Sequence, residues 1–354
     1  MINKSQEEIM QNWVGDVNYP IVSVYCLTYN HENFIEEALD SFLNQQTRFP
    51  IEIIIHDDAS NDKTRNIIKQ YQQKYPQIVK PILEDDNQYS KGGLDLVYRI
   101  TNKYINGKYI AICEGDDLWI DNKKLQEQCD FLETHPQYGV CYSKAKIDQR
   151  LATFYQYPNL KEWGAMTTGF DDLLKTNKIP NCTPLIRFEL HLKYLEDIKS
   201  EKKNGWTTED YAEWLYLSTI TKFHFIDKCY AAYRILPSSI SNSNYIENEI
   251  KFVRGVNLIR WYFKQKYGSQ VYVPSPNEHE HYYQVAINKA FDRLMNINKD
   301  LYYNSLGSII FSNKVEENFR ISIAFRIFKE CGIKKILKKI IDIFRNKIKT
   351  SLHR

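Results

Sequence analysis

The sequence predicts an α/β fold in which a mixed, mostly parallel sheet is flanked by helices. The composition is that of a folded protein, because 43% of its 354 residues are hydrophobic and 26% are charged. From residue 21, short β-branched segments alternate with segments of helical spacing, which is the pattern of βαβ units on a parallel sheet. Clusters of polar residues follow several of the predicted strands. A chain of this length accommodates one large domain, or a domain with an appendage.

Each predicted strand is a short apolar run rich in Ile and Val, and each predicted helix places its apolar residues three or four positions apart. The predicted strands of the first half span 21–27, 51–56, 78–83, 108–113 and 139–147. The helices between them span 32–45, 61–74, 94–105 and 122–134. The second half adds a helix at 210–220 and a strand at 223–234, and only helical patterns follow residue 245. The segments 148–166 and 238–244 lack periodicity and are expected to be loops.

The overall charge and the N-terminal sequence restrict the class of protein. A formal net charge of +3 is too small to indicate a nucleic-acid partner, since such proteins carry a concentrated basic surface. The N-terminus MINKSQEEIMQNW is polar where a signal peptide needs an apolar stretch, and the chain has no run of about 18 uncharged apolar residues. We therefore expect a cytoplasmic protein. The seven cysteines form no C-x-x-C pair, so neither a disulfide framework nor a zinc site is predicted.

Polar residues follow three predicted strands at the ends where open α/β sheets bind their ligands. In chain order they are Thr28 and Asn30, then Asp57 and Asp58, then Glu114, Gly115, Asp116 and Asp117. So many carboxylates at one edge would hold a diphosphate only with a divalent cation between them. Oxygen ligands of this kind suit Mn²⁺ or Mg²⁺, so the sequence predicts one of these metals as a cofactor. The alternative is that each acidic residue only caps the helix or turn that follows it.

These residues lie in segments that resemble a known family. The runs VSVYCLTYNHENFIEEALDSFLNQ, IEIIIHDDASNDKT and KYIAICEGDDLW have the order and separations of the donor-binding half of family 2 glycosyltransferases with the Rossmann-like GT-A fold. The resemblance covers about residues 20–145. It implies a GT-A domain over residues 18–243, with a nucleotide-binding half at 18–120 and an acceptor half at 121–243. A C-terminal helical appendage would follow at 244–354.

The resemblance assigns roles in donor binding. The residues expected to contact the donor are Thr28, Asn30, Asp57, Asp58, Glu114, Gly115, Asp117 and Arg234. Among them, Asp58 would contact the nucleobase or the ribose. Glu114-Gly115-Asp116 stands where the family has its Asp-x-Asp metal motif, which makes Asp116 the expected metal ligand. Glu in place of the first Asp is a departure that leaves the role of Glu114 open between the ribose and a metal-bound water.

The segment GWTTEDYAEWL supplies a candidate catalytic base. Displacement at an anomeric carbon requires that the acceptor hydroxyl lose its proton as it attacks, and a positioned carboxylate can accept that proton. The family's Glu-Asp motif matches Glu209-Asp210, which implies that Asp210 is the base, with Glu209 beside it, and that the reaction is inverting. The alternative is that both acids only stabilise a helix N-terminus through its dipole.

One arginine and two tryptophans complete the predicted site. The strand that ends at Arg234 is similar to a family segment beside the donor phosphates, where an arginine would neutralise the leaving diphosphate. An ordinary surface arginine is the alternative. Trp119 and Trp206 are the candidates for stacking on acceptor sugar rings, whereas the spacing of Trp214 on its helix predicts core packing.

The C-terminal segment 325–354, FRIFKECGIKKILKKIIDIFRNKIKTSLHR, places apolar residues at helical spacing among many Lys and Arg. Such a helix can lie in an anionic membrane interface, where each basic residue adds about 1 kcal/mol. The alternative is that its apolar face packs on the protein. The first interpretation predicts peripheral contact with the inner face of the cell membrane, close to a lipid-linked acceptor.

The resemblance as a whole implies a hexosyl- or N-acetylhexosaminyltransferase. Its partners would be a nucleotide-sugar donor, UDP-linked by family frequency, and a saccharide or lipid-linked saccharide acceptor in surface-polysaccharide assembly. Two alternatives stay open. A metal-dependent nucleotidyltransferase would share the sheet and the carboxylates, but it normally needs a Gly-rich basic loop that LTYNHENF lacks. A catalytically inactive module would keep the fold and tether a complex at the membrane.

Overall fold

The computed structural model describes residues 2–148, 161–198, 205–236 and 246–278. Contacts divide the chain into two compact units. The first contains the described residues up to 235 together with 258–273, and the second contains residues 236, 246–257 and 274–278. Residues 149–160, 199–204, 237–245 and 279–354 lie outside the described residues, and they include the predicted 238–244 loop and the basic segment 325–354.

Strands and helices alternate along the described chain as the periodicity predicts. The strands are β1 (Val22–Thr28), β2 (Ile51–Asp57), β3 (Val79–Leu83), β4 (Tyr109–Ile112), β5 (Leu118–Trp119), β6 (Tyr138–Asp148), β7 (Glu162–Trp163), β8 (Leu185–Arg187) and β9 (Lys222–Arg234). The helices are α1 (Gln6–Met10), α2 (Ile35–Leu43), α3 (Thr64–Lys74), α4 (Gln88–Thr101), α5 (Lys124–Thr134), α6 (Phe170–Lys175), α7 (Phe188–Ile198), α8 (Glu209–Leu217) and α9 (Ile246–Tyr267). A 3₁₀ turn at Asn102–Tyr104 follows α4. Of these described helices, none has the length and apolar composition needed to cross a membrane.

The strands form one sheet in the order β3-β2-β1-β4-β8-β6-β9-β5, with β7 paired to β6. Strands β3, β2, β1 and β4 are parallel, and Val22 of β1 lies opposite both Ile51 of β2 and Tyr109 of β4. Strand β8 pairs antiparallel with β4 and β6, whereas β9 runs parallel to β6. The predicted α/β class with a mixed sheet is therefore confirmed, and the carboxyl ends of β1, β2 and β4 share one edge.

The structure differs from the predicted elements where the local pattern is weak. Strands β5, β7 and β8 have two or three residues each, which is too short for periodicity to reveal. Helix α4 begins at Gln88, whereas the periodicity predicted residue 94. The first turn, QYSKG, has few apolar residues, so periodicity does not reveal it. A kink at Gly93, with a φ of 66° and a ψ of −167°, separates this turn from the rest of the helix and requires glycine.

The core is densest around the parallel strands. Every residue of β2 is buried, and β1 is buried except at Leu27. Helix α2 adds Ile35, Leu39 and Phe42 to the same apolar cluster. The ring of Phe42 lies 4.7 Å from that of Trp119, centroid to centroid, so the core reaches strand β5 directly after the acidic segment. The segment that carries the predicted metal ligand is therefore anchored to the core at its far end.

Replacing Phe42 with alanine is expected to destabilise the fold. Phe42 is fully buried, and phenylalanine-to-alanine changes in cores typically cost about 3–5 kcal/mol. The free energy of unfolding, measured by urea denaturation and circular dichroism, should fall by that amount. The control is Tyr19→Ala, at a residue that is 76% exposed, which should change it by less than about 0.5 kcal/mol. Equal effects of the two variants would contradict the core position of Phe42.

Candidate active site

The loops that follow β1, β2 and β4 meet at the carboxyl edge of the parallel strands. Thr28 at the end of β1 lies opposite Asp57 at the end of β2. The amide of Asp58 donates to the carbonyl of Thr28 at 3.0 Å, and the amide of Gly115 donates to the carbonyl of Leu27 at 2.8 Å. The structure thus brings the three predicted polar clusters together, as the parallel topology requires.

The two aspartates after β2 hold neighbouring backbone in place. Asp58 is 6% exposed, and its carboxylate accepts from the amides of Gln88 at 2.6 Å and Tyr89 at 3.0 Å, in the first turn of α4. Asp57 is fully buried and accepts from the amide of Ser60 at 3.1 Å, and burial raises the pKa of its carboxyl. These contacts agree with the alternative interpretation, in which each acidic residue caps the helix or turn that follows it. A direct contact of either carboxylate with a nucleoside stays a prediction.

Thr28 and Asn30 shape the loop after β1. Asn30 has a φ of 55°, in the left-handed region that asparagine tolerates. Its amide donates to Ser60 Oγ at 2.8 Å, and its side-chain oxygen accepts from the Asn61 amide at 2.9 Å. Thr28 is 3% exposed, and a Cβ added at Gly115 would lie only 2.8 Å from its Oγ1. This close approach explains why glycine occupies the middle of the Glu-Gly-Asp sequence.

The acidic loop, residues 114–117, carries three carboxylates in different environments. Glu114 is partly exposed and accepts from the side-chain amide of Asn181; burial and then the charge of Asp116 raise its pKa to about 7. Asp117 is 2% exposed and accepts from the amide of Arg234 at 2.8 Å, and burial followed by the charge of Asp116 raises its pKa. The partly exposed carboxylate of Asp116 makes no hydrogen bond or ion pair with another described residue. It is the carboxylate of this loop that is open to a ligand.

Arg234 holds the acidic loop in place. Its side chain is 4% exposed, donates from Nη1 to the carbonyl of Asp116 at 2.7 Å and forms an ion pair with Glu37. Its Nε lies 3.8 Å from a carboxylate oxygen of Asp148, and the guanidinium lies 5.3 Å from the ring centroid of Phe34. The surface-arginine alternative is therefore wrong. The contact of Arg234 with donor phosphates stays a prediction, because these partners are all protein groups.

Helix α8 brings the candidate base towards the acidic loop. It begins at Glu209, and Thr208 before it provides no side-chain cap. Asp210 is partly exposed, and its pKa is raised to about 6 by burial and by the charges of Glu209 and Glu213. The charge of Asp210 in turn raises the pKa of Glu114, so the two carboxylates lie within electrostatic range of each other.

Glu209 is less accessible than the residue that follows it. It is 8% exposed, and its Oε2 accepts from the hydroxyl of Tyr194 at 3.4 Å. Of the two acids in the predicted Glu-Asp motif, Asp210 therefore has the carboxylate that an acceptor can reach more easily.

The three tryptophans occupy different environments. Trp119 is 4% exposed, its indole N–H donates to the carbonyl of Cys182 at 2.9 Å, and Lys124 Nζ lies 4.3 Å from its ring centroid. The expectation that Trp119 stacks on an acceptor sugar is thus corrected, because its side chain is buried and an acceptor cannot reach it. Trp214 is fully buried, as predicted. Trp206 is partly exposed, and its ring lies edge-to-face with that of Tyr262, with the centroids 5.4 Å apart. Its role in acceptor binding stays a prediction.

Two contributors to the site carry no recognisable motif. Asn181 lies in the segment KIPNCTP and positions Glu114, which is 67 positions away in the chain. Glu37 lies on α2 and pairs with Arg234, which is 197 positions away. A single polar residue beside prolines or in an amphipathic helix gives no local signal of such contacts, so only the folded chain identifies them.

The acidic loop fits a Mg²⁺ or Mn²⁺ ion. Such ions bind one or two protein carboxylates and complete their shell with phosphate oxygens and water. Asp116 supplies a carboxylate that no other side chain in the described part of the chain contacts by a hydrogen bond or an ion pair, and its charge acts on the neighbouring Glu114. In the part of the chain that the structure describes, no group of three or more His, Cys, Asp or Glu side chains converges on a metal position. A carboxylate in this position suits an ion that completes its shell with the oxygens of a diphosphate.

Comparison with known proteins identifies the domain. Residues 23–191 match the family described as Glycosyl transferase family 2. An uncharacterized protein of Mycobacterium tuberculosis is 41% identical over 126 residues, which are 36% of this chain but only 35% of that relative's length. The putative teichuronic acid biosynthesis glycosyltransferase TuaG of Bacillus subtilis is 29% identical over 241 residues, covering 67% of this chain and 85% of that protein.

Among solved structures, the crystal structure of TarS from S. aureus in complex with UDP-GlcNAc is 18% identical, with a TM-score of 0.48, and the match covers 84% of this chain and 82% of that chain. The two aspartates after β2 and the whole acidic loop lie inside the residues that match the family. Residues 23–191 of this chain are therefore similar to glycosyltransferase family 2.

Proposed function

We propose that this chain is an inverting glycosyltransferase that moves a sugar from a nucleotide-diphosphate donor to an acceptor hydroxyl. One observation carries the proposal: hydrogen bonds fix the acidic loop, with the partly exposed carboxylate of Asp116, at the carboxyl edge of the parallel strands. Asp210, which is also partly exposed, comes from a distant part of the chain and lies within electrostatic range of Glu114 in that loop. A site of this kind combines a metal ligand with a general base. The family match over residues 23–191 supports the reaction type.

Asp116, with Glu114 beside it, would hold Mn²⁺ or Mg²⁺. When bound, such an ion neutralises charge on the diphosphate and stabilises it as a leaving group. The chain's own contribution is to keep the acidic loop in one shape. Arg234 donates to the Asp116 carbonyl, and Asn181 donates to the Glu114 carboxylate.

Asp210 would act as the general base. Its carboxylate accepts the proton of the acceptor hydroxyl while the hydroxyl oxygen attacks the anomeric carbon. The bond between that carbon and the diphosphate oxygen breaks on the opposite face, so the configuration inverts. A pKa of about 6 suits this role, because the group is ionised at neutral pH yet holds a proton more strongly than an ordinary aspartate.

The substrates are proposed from the site and from the relatives. The donor nucleotide would be UDP by family frequency, and its nucleoside would lie against Thr28 and Asn30. Trp206 would stack on a sugar ring of the acceptor. The printed name of TuaG refers to teichuronic acid biosynthesis, which supports an acceptor from surface-polysaccharide assembly, free or lipid-linked. Membrane contact through residues 325–354 remains part of this proposal, since that segment lies outside the described residues.

Asp116→Asn and Asp210→Asn are each expected to remove most of the activity, because each loses a charge at constant size. Nucleotide release from a panel of UDP-, GDP- and dTDP-sugars with Mn²⁺ should fall by about 100-fold or more. Asp130→Asn, at an exposed ion pair with Arg48, is the control and should match the wild type. Mn²⁺-dependent binding of UDP should weaken in the Asp116 variant alone. Wild-type turnover in either site variant, with the fold intact by circular dichroism, would refute the role of that residue.

The rate should also depend on the ionisation of Asp210. A base acts in its deprotonated form, so kcat/KM should fall about tenfold per unit as the pH drops below about 6, and level off above it. The residual activity of Asp210→Asn should lack this acid limb, whereas Asp130→Asn should retain it. An acid limb that survives in Asp210→Asn would assign the titration to another group.

Arg234→Lys is expected to weaken binding of the donor diphosphate. Lysine keeps the charge but loses the fork of donors with which Arg234 reaches both the Asp116 carbonyl and Glu37. Calorimetric titration of UDP in Mn²⁺ should show affinity reduced by about 10-fold, the usual effect of losing a supporting contact at a metal site. Arg48→Lys, at a side chain that is 73% exposed, should bind normally. Unchanged affinity in a folded Arg234→Lys variant would show that the acidic loop does not need this arginine.

A further inference from the structure

A buried polar pair joins helix α8, which carries the candidate base Asp210, to helix α7. Glu213 on α8 and His191 on α7 are both fully buried, and Oε1 of Glu213 lies 2.6 Å from Nδ1 of His191. Among the described residues, the second carboxylate oxygen of Glu213 has no hydrogen-bond partner. Neither residue belongs to a sequence motif that predicts function, and neither is needed for the step described above.

The hydrogen bonds around His191 indicate which nitrogen carries its proton. The side-chain nitrogen of Asn102, in the 3₁₀ turn after α4, lies 3.2 Å from Nε2 of His191. An amide nitrogen only donates, so Nε2 accepts and Nδ1 carries the proton that is donated to Glu213. The chain Asn102–His191–Glu213 therefore joins three separate elements. The rings of Tyr25 and Tyr98 lie 6.5 Å and 5.8 Å from the imidazole and complete its surroundings.

Stability alone does not account for this pair. Removing a carboxylate and an imidazole from water is costly, and well-packed apolar residues at such positions are often as stable or more stable. The residues that flank Glu213 in the sequence, Ala212, Trp214 and Leu215, are apolar or aromatic and fully buried. An apolar side chain at position 213 would continue this pattern. A buried carboxylate here is thus better explained by its effect on a neighbouring group.

Asp210 is the neighbour that Glu213 can affect. Residues three apart on a helix lie on the same side, so Glu213 sits one turn further along α8 on the side of Asp210. Thr208 provides no side-chain cap, so the first turn of α8 depends on other contacts for its position. The bond between Glu213 and His191 ties that side of the helix to α7. The charge of Glu213 also contributes, after burial and Glu209, to the raised pKa of Asp210.

We propose that the Glu213–His191 pair is a positioning element for Asp210, which holds the base in its orientation and places a negative charge behind it. This inference rests on the proposed role of Asp210 as the base. Glu209 on the same helix also acts on Asp210. Asp210 is in electrostatic range of three further groups, which are Glu114 in the acidic loop, Tyr98 on α4 and Tyr211 on α8. All of these remain when position 213 is changed, so a change at 213 isolates its contribution.

The first test compares Glu213→Gln with the wild type in the nucleotide-release assay. Glutamine keeps the size and an acceptor oxygen but removes the charge. We expect kcat to fall by about 10- to 100-fold, the range for lost supporting contacts, while the affinity for UDP with Mn²⁺ stays unchanged. The acid limb of the rate should move to lower pH, because Asp210 loses a neighbouring negative charge. Glu196→Gln, at an exposed position on α7, is the matched control and should change neither quantity.

A second variant covers the case in which Glu213→Gln does not fold. The double variant His191→Leu with Glu213→Leu replaces the pair by apolar residues, so it should fold yet show the same loss of kcat and the same shift of the acid limb. Wild-type kcat and an unmoved acid limb in a folded variant at position 213 would overturn the proposal and leave the pair a packing feature. Failure of the proposed function looks different, since full activity would then appear in Asp210→Asn itself.

Discussion

Repulsion among carboxylates at one edge of the sheet is the constraint on which the rest of the site depends. Glu114, Asp116 and Asp117 lie within four residues, and the charges of Glu114 and Asp116 both act on Asp117. The charge of Asp210, on helix α8, acts on Glu114. The chain offsets this repulsion unevenly. Asn181 donates to Glu114 and the backbone of Arg234 donates to Asp117, whereas the Asp116 carboxylate has no partner among the described residues. The proposed divalent cation would balance the negative charge of the Asp116 carboxylate.

The sheet order explains how donors from the second half of the chain reach the acidic loop. Strand β9 pairs with β5, with Leu118 opposite Ala232, which brings Arg234 to the residues just before β5. Strand β8 pairs with β4, with Ala111 opposite Leu185, which brings Asn181 close to the end of β4. The non-parallel half of the sheet is thus what completes a site that the parallel half begins.

The departure from the family motif at position 114 has a structural counterpart. A glutamate is one methylene longer than the usual aspartate, and the amide of Asn181 holds its carboxylate. On helix α8, the acids Asp210 and Glu213 lie in different environments. Asp210 is partly exposed, whereas Glu213 is fully buried and hydrogen-bonded to His191. The proposed base and the proposed positioning residue therefore lie on one helix.

The sequence by itself determined the α/β class, the parallel strands and the polar residues at their ends, because apolar periodicity and the position after a strand are local properties of the chain. The same local rules failed for Trp119, whose burial depends on Phe42 and Cys182, and they did not reveal that Asp58 caps α4. Only the tertiary structure decided which acid of the loop stays without a partner. That outcome depends on hydrogen bonds between residues up to 118 positions apart, and pairing over such distances follows from the strand order and not from any pattern in the neighbouring residues.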